Sequence, residues 1–184
     1  YSSAASDVYK RQVHRGQGVA GHILRRQAQM ILLRPYAEGD TPALSSLLAE
    51  CVRNVNSRDY TPEQVEAWCA AGADPGRLHA RLSTGCTIVA ENGNAEIVGF
   101  ANMHDDGYFD YLFVGSRSQR LGIASRLADE AERYARSRGA AAFTSEVSIT
   151  ARPFFERRGY VTVKRQTVMC GGVGLDNFVM RKEA

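Results

Sequence analysis

No stretch of this sequence approaches the ~18 consecutive apolar residues that a membrane-spanning helix needs. Its four cysteines, Cys51, Cys69, Cys86 and Cys170, lack C-x-x-C spacing, and its four histidines, His14, His22, His79 and His104, lack metal-ligand spacing. A disulfide scaffold and a metal centre are therefore poor starting hypotheses; the expectation is reduced thiols, no metal and a cytoplasmic chain. An excess of one charge is also missing. The formal net charge is +3, but residues 1–29 hold five basic residues against one acidic, which leaves residues 30–184 at −1. The pI near 8.8 thus belongs mostly to the first 29 residues. It is weak ground for a nucleic-acid binder, whose affinity would vanish with that segment. What is present is 184 residues, 44% hydrophobic and 23% charged, enough for one domain with a sizeable core.

Residues 1–29 do not belong with the rest. The run Ser2-Ser3-Ala4-Ala5-Ser6-Asp7-Val8-Tyr9-Lys10-Arg11-Gln12 resembles a translated transposase-type sequencing adapter. An organelle transit peptide is the competing reading of an Arg-rich, acid-poor start. Residues 13–29 read as upstream read-through, with Met30 as the natural start and residues 30–184 as one domain.

The organising stretch is Tyr108–Arg138. Tyr108 to Val114 is dense in aromatic and branched residues, as a strand should be. Gly115-Ser116-Arg117-Ser118 breaks that pattern, and Gln119-Arg120-Leu121-Gly122-Ile123-Ala124 is expected to open a helix. Leu121, Ala124, Leu127, Ala128, Ala131, Tyr134 and Ala135 recur at the spacing of one helical face, while Arg126, Asp129, Glu130, Glu132 and Arg133 suit water. The first N–H groups of a helix lack partners and the dipole is positive there, so a small residue in that turn makes a phosphate site. Arg117 and Arg120 add positive charge. The alternative is a tight strand-to-helix turn with two solvated arginines.

Gln119–Ala124 matches the Gln/Arg-x-x-Gly-x-Gly/Ala signature of the GNAT superfamily of N-acetyltransferases, and the stretch resembles that family. Leu112-Phe113-Val114 before it and Ala151-Arg152-Pro153-Phe154-Phe155-Glu156-Arg157-Arg158-Gly159-Tyr160 after it add two further elements of resemblance. The likeness spans roughly residues 31–182, and its later run looks most like the bacterial YafP-like branch. A second hexapeptide, Arg15–Ala20, also fits the signature; without a preceding strand it reads as a decoy, with the stub of a tandem domain as the alternative.

The resemblance implies acetyl-CoA as cosubstrate. Its pyrophosphate would sit on Gln119, Arg120, Leu121, Gly122, Ile123, Ala124 and Ser125. Its pantetheine arm and acetyl carbonyl would lie on the backbone of Leu112, Phe113 and Val114, with Phe155 beside them. The acceptor is expected near the loop between the first two helices, where Asn54, Tyr60 and Trp68 are the residues to watch. It would be an amine on a small molecule or a protein, without nucleic acid or membrane; a homodimer is left open. Two carboxylates are candidates for the general base: Asp110, read on one strand face with Tyr108, Leu112 and Val114, and Glu146 on the following strand. The family's acid tyrosine is replaced by Phe155, so Tyr160, Tyr111, Ser148, water or an unprotonated thiolate must serve instead. That replacement also leaves room for a catalytically silent acyl-CoA-binding module.

Around this stretch the expected order is β-α-α-β-β-β-α-β-α-β-β, an α/β domain with a GNAT-like mixed β-sheet and helices on both faces. Thr41 is the candidate N-cap of the first helix and Thr61-Pro62-Glu63-Gln64 the capping box of the second. A further helical turn is expected over Pro75–Leu82. A hairpin crosses Asn92-Gly93-Asn94, and Gly171–Gly174 is a loop between the last two strands.

Overall fold

The computed structural model describes residues 30–72 and 74–184. The adapter-like run and the decoy hexapeptide lie outside the described residues. Leu32–Pro35 (β1), Cys86–Glu91 (β2), Ile97–Met103 (β3) and Phe109–Val114 (β4) form one antiparallel sheet in that order. Ala142–Ser148 (β5), Val161–Cys170 (β6) and Val173–Glu183 (β7) form a second, with β7 in the middle. The helices are Thr41–Asn54 (α1), Pro62–Ala71 (α2), Pro75–Leu82 (α3), Ile123–Ser137 (α4) and Arg152–Arg157 (α5). This is the expected order with one addition. The turn at Pro75–Leu82 is a full helix, capped by Asp74, whose Oδ1 accepts from the N–H groups of Gly76 (2.9 Å) and Arg77 (3.2 Å).

The two sheets meet at one place. Tyr108 and Thr144 form an isolated parallel bridge, which makes the whole a mixed sheet. The Thr144 N–H donates to the Gly107 carbonyl at 3.0 Å and the Ser145 hydroxyl to the Phe109 carbonyl at 2.8 Å. Only glycine fits at Gly107: φ is +90°, and a Cβ would stand 2.2 Å from the Ala142 carbonyl oxygen. Among the described residues no ladder continues β4 onto β5 beyond this joint, so the strands part and leave a cleft.

A bulge sets which way β4 points. Asn102 stands opposite Tyr111 and Met103 opposite Phe109, so Asp110 is the extra residue. An inserted residue advances the alternation by one. Phe109, Leu112 and Val114 therefore share the core beneath α4 with Leu127, Phe143 and Met180. Tyr111 and Phe113 instead pack with Phe100 and Leu44 beneath α1–α3. The expected face of Tyr108, Asp110, Leu112 and Val114 is corrected accordingly: strict period two does not survive the bulge.

Local chemistry explains most of the remaining boundaries. Thr61 and Gln64 form the expected capping box, each side chain bonded to the other's backbone N–H. Thr41 is not the cap: Asp40 is, and Thr41 is already helical, with its hydroxyl donating to the Glu38 carbonyl at 2.7 Å. Gly171 and Gly172, at φ +55° and +88°, make a two-residue hairpin turn, shorter than the expected loop. On α4, Leu127, Ala128, Ala131 and Ala135 are fully buried as expected. Two residues depart from the helical-face pattern. Leu121 precedes the helix and is exposed, and Glu132 is buried. Glu132 leaves water because Arg158 (3.1 Å), Lys182 (2.7 Å) and Arg136 (3.6 Å) surround its carboxylate and the Tyr160 hydroxyl donates to it at 3.2 Å.

Candidate active site

The gap between β4 and β5 opens into a cleft of about 930 Å³, bounded by the α1–α2 turn, β4, the start of α4, β5, α5 and the β6–β7 hairpin. Backbone groups form one half of it. The expected helix start at Gln119 is corrected: Ser116–Ser118 is a 3-10 turn, Arg120 (φ +61°) and Gly122 (φ +76°) are left-handed, and α4 begins at Ile123 with Gly122 as its cap. The first helical bond runs from the Arg126 N–H to the Gly122 carbonyl at 3.1 Å. Among the described residues, nothing accepts from the N–H groups of Gly122, Ile123, Ala124 and Ser125. A Cβ at Gly122 would meet nothing within 4 Å, and Gly122, Ile123, Ala124 and Ser125 all border the open cleft. Four convergent N–H groups at the positive end of a 15-residue helix make an anion cradle.

Side chains hold this loop in shape, and the sequence pattern did not reveal them. The Gln119 Nε2 donates to the Val114 carbonyl at 2.6 Å, which places this residue as a brace of the loop. The Cys51 thiol donates to the same carbonyl at 3.3 Å. Glu50 on α1 accepts from the Ser116 hydroxyl and, at 3.2 Å, from the Ser116 N–H. Burial pushes the Glu50 carboxyl up, but the bonds from Ser116 and Asn54 outweigh burial and hold it below the ordinary glutamate range. Burial, aided by the Glu50 charge, pushes the Cys51 thiol up, so it stays protonated.

The other half is built from side chains. Asp110 is engaged through both oxygens by Arg81 of α3, Oδ2 at 3.1 Å from Nε and Oδ1 from Nη2, and only 3% of its side chain is exposed. Arg81 also lies over the Tyr111 ring, 4.8 Å from its centroid. Glu146 is exposed on the cleft wall, and among the described residues the one hydrogen-bond partner of its carboxylate is the Asn177 Nδ2 at 3.5 Å. Tyr108 lines the same cleft. Burial first, then the charges of Glu146 and Asp110, push its hydroxyl up to about 12, so it keeps its proton at neutral pH. Tyr60 and Trp68 meet edge to face at 5.4 Å and both line the cleft. The Tyr60 hydroxyl is committed, donating to the Asp176 carbonyl at 2.7 Å and accepting from the Ile149 N–H at 3.0 Å. Asn54 is solvent-facing and bonded to Glu50; Asn56, two residues on, lines the cleft instead and donates to the Ser148 hydroxyl at 3.4 Å.

Phe155 is buried among Phe109, Phe154 and Tyr160, with ring centroids 5.6, 5.7 and 5.0 Å away, and borders the cleft. Tyr160, one expected substitute for the missing tyrosine, turns away: its hydroxyl donates to Glu132, and burial with that neighbouring charge raises its pKa further. Tyr111 and Ser148 do border the cleft.

Residues 56–183 match the GNAT acetyltransferase domain. The chain belongs to the GNAT acetyltransferase family. It is 37% identical over 151 residues, 82% of this chain and 95% of the relative, to the Escherichia coli (strain K12) protein described as uncharacterized N-acetyltransferase YafP. The crystal structure of a GCN5-related N-acetyltransferase ("Aminotransferase, Class-II") from Rhodopseudomonas palustris is similar with 33% identity and a TM-score of 0.80, over 83% of this chain and 95% of that one. The PaiA N-acetyltransferase of Thermoplasma acidophilum, in complex with coenzyme A, shares the fold with a TM-score of 0.68 at 17% identity, over 84% and 99% of the two chains. The chain is thus an acetyltransferase, and acetyl-CoA is the cosubstrate of its family. The residues present fit that molecule, because a diphosphate needs converging donors with open space before them and Gly122–Ser125 offer both. No helix among the described residues is long and apolar enough to cross a membrane.

Proposed function

We propose that this GNAT enzyme acetylates a primary amine of a small molecule or an exposed protein amine, with Glu146 as general base. The observation that carries the assignment is the contrast between two carboxylates in one cleft. Arg81 occupies both oxygens of Asp110, whereas no cation lies within ion-pair distance of Glu146 among the described residues. A base must reach the proton it removes, and of these two carboxylates Glu146 is the one with an oxygen free to do so.

Acetyl-CoA supplies the acetyl group as a thioester, and the amine nitrogen forms the new C–N bond as the C–S bond breaks. Glu146 takes the ammonium proton at an Oε and frees the nitrogen lone pair. The second proton leaves the nitrogen and reaches the departing sulfur through water. With Phe155 in the tyrosine position and Tyr160 turned toward Glu132, no side-chain acid is required, because a thiol of pKa near ~8.5 leaves readily as its anion. The N–H groups of Gly122–Ser125 hold the diphosphate, the β4 backbone from Leu112 to Val114 aligns the pantetheine arm, and orientation in one cleft supplies much of the rate. The four free thiols support a reducing, cytoplasmic setting.

Phe155 favours one second reading, a silent acyl-CoA-binding module. A thiol-release assay over a broad amine panel separates the two. Amine-dependent release is expected; tight acetyl-CoA binding with no release for any amine would leave the silent module standing.

A further inference from the structure

We propose that the acceptor is of the amino-acid type, an amine that also bears a carboxylate and an apolar body, with the amine at Glu146 and the carboxylate at Arg58. This rests on the acetyl-transfer reading. The acceptor half of the cleft is lined by Arg58, Arg81, Asp110, Glu146 and Asp176. Two internal pairs cancel most of that charge: Arg81 with Asp110, and Asp176 with Arg165 from β6. Arg120 and Arg157 come from the loop before α4 and from α5, the elements assigned to the cofactor. One cation and one anion are left over, Arg58 and Glu146, and neither has an oppositely charged partner among the described residues. The Arg58 Nε donates to the Val55 carbonyl at 3.0 Å, which fixes the guanidinium and leaves its two terminal nitrogens for a ligand.

Both charges line the same cleft, and the chain ties the elements that carry them together. The 3-10 turn Asn56–Arg58 is docked on β5 through the Asn56–Ser148 contact at 3.4 Å. Ser148 and Glu146 are two residues apart on one face of β5, roughly 6.6 Å along the strand. One cation and one anion on neighbouring elements of one cleft suit a zwitterion. A bare amine would leave Arg58 idle, and a bare carboxylate would face Glu146. The same cleft is also walled by Trp68 and Tyr60, with Val168, Cys170 and Leu175. Since the Tyr60 hydroxyl is already committed in both directions, its ring offers apolar surface rather than hydrogen bonds. Such a wall suits an apolar side chain, while a guanidinium fork suits a carboxylate.

The test compares phenylalanine, phenylalaninamide and phenethylamine as acceptors of the full chain with acetyl-CoA, alongside calorimetric binding of each to the CoA-saturated protein. Phenylalanine is expected to exceed the other two by about tenfold or more in kcat/KM, since the lost contact is a hydrogen bond between charged groups. Arg58→Gln should bring that ratio close to one, and Arg58→Lys should keep part of it. Equal or better use of phenethylamine by the wild type, or an unchanged ratio in Arg58→Gln, would overturn the assignment while leaving acetyl transfer intact. Binding that depends on the carboxylate and on Arg58, without turnover, would uphold the ligand class and remove the transfer reading. Neither binding nor turnover for any of the three would overturn the assignment.

Discussion

The two halves of the cleft are made from different material. The half we propose for the cofactor is main chain: four N–H groups at the start of α4 and the backbone of β4, braced by Glu50, Cys51 and Gln119. The half we propose for the acceptor is side chain: two internal ion pairs, two aromatic rings and two charges without an oppositely charged partner among the described residues. A main-chain site is shared by every sequence that folds this way and needs only that nothing obstruct it. A side-chain site has to be specified residue by residue, and that is where specificity resides.

The sharpest way to break the cofactor half is at Gly122. Gly122→Glu forces a side chain onto φ +76° and puts an anion before the four donors. We expect acetyl-CoA affinity to fall by about 100-fold or more in a chain that still folds, given ~1.5–3 kcal/mol for each hydrogen bond to a charged group. Calorimetry giving wild-type affinity in a folded variant would remove this site.

A smaller effect is expected at the brace of the loop. Glu50→Gln and Ser116→Ala loosen the brace and leave the donors in place. KM for acetyl-CoA should rise about tenfold, as expected when one hydrogen bond to a carboxylate is weakened, with kcat held. A fall in kcat at constant KM would show that the brace serves the chemistry. Because the folded Glu50 carboxyl lies below its ordinary range, the brace is present above the ordinary glutamate pKa and is lost as pH falls through the folded value. The effect of Glu50→Gln on KM should therefore be full at neutral pH and shrink in acid.

The smallest effect is expected at Phe155. The tyrosine hydroxyl of Phe155→Tyr would enter a site enclosed by three rings. Turnover should change by less than about tenfold, well below the ~10²–10⁴-fold of a working general acid, with melting temperature slightly lowered by desolvation of the hydroxyl. A rise of a hundredfold in thiol release would show that an acid was the one thing missing.

This division also explains what could be read in the sequence. The strand-turn-helix and its glycine were legible because a main-chain site leaves a short local signature, Gln119 to Ala124. Its detail was not: Arg120 is left-handed, and Gln119 braces Val114, because the loop closes back on β4 before the helix begins. In the acceptor half, local pattern gave the candidate carboxylates and missed their state. Asp110 lies in a bulge that period two cannot foresee, and its partner Arg81 is 29 residues away. Glu132 falls on the polar side of the helical pattern, and its burial is not local, since Arg158 and Lys182 come from other elements. Asn56 and Arg58 give no signal at all until the 3-10 turn docks on Ser148.

If Glu146, which has no cationic partner among the described residues, takes the amine proton, the half proposed for the cofactor works independently of it. The most direct test is kcat for thiol release by Glu146→Gln with acetyl-CoA and amine both saturating. A loss of about 100-fold or more is expected at neutral pH, within the ~10²–10⁴-fold typical of general bases. A kcat within about threefold of the wild type, below that range, would contradict it and return the proton to Asp110 or to water.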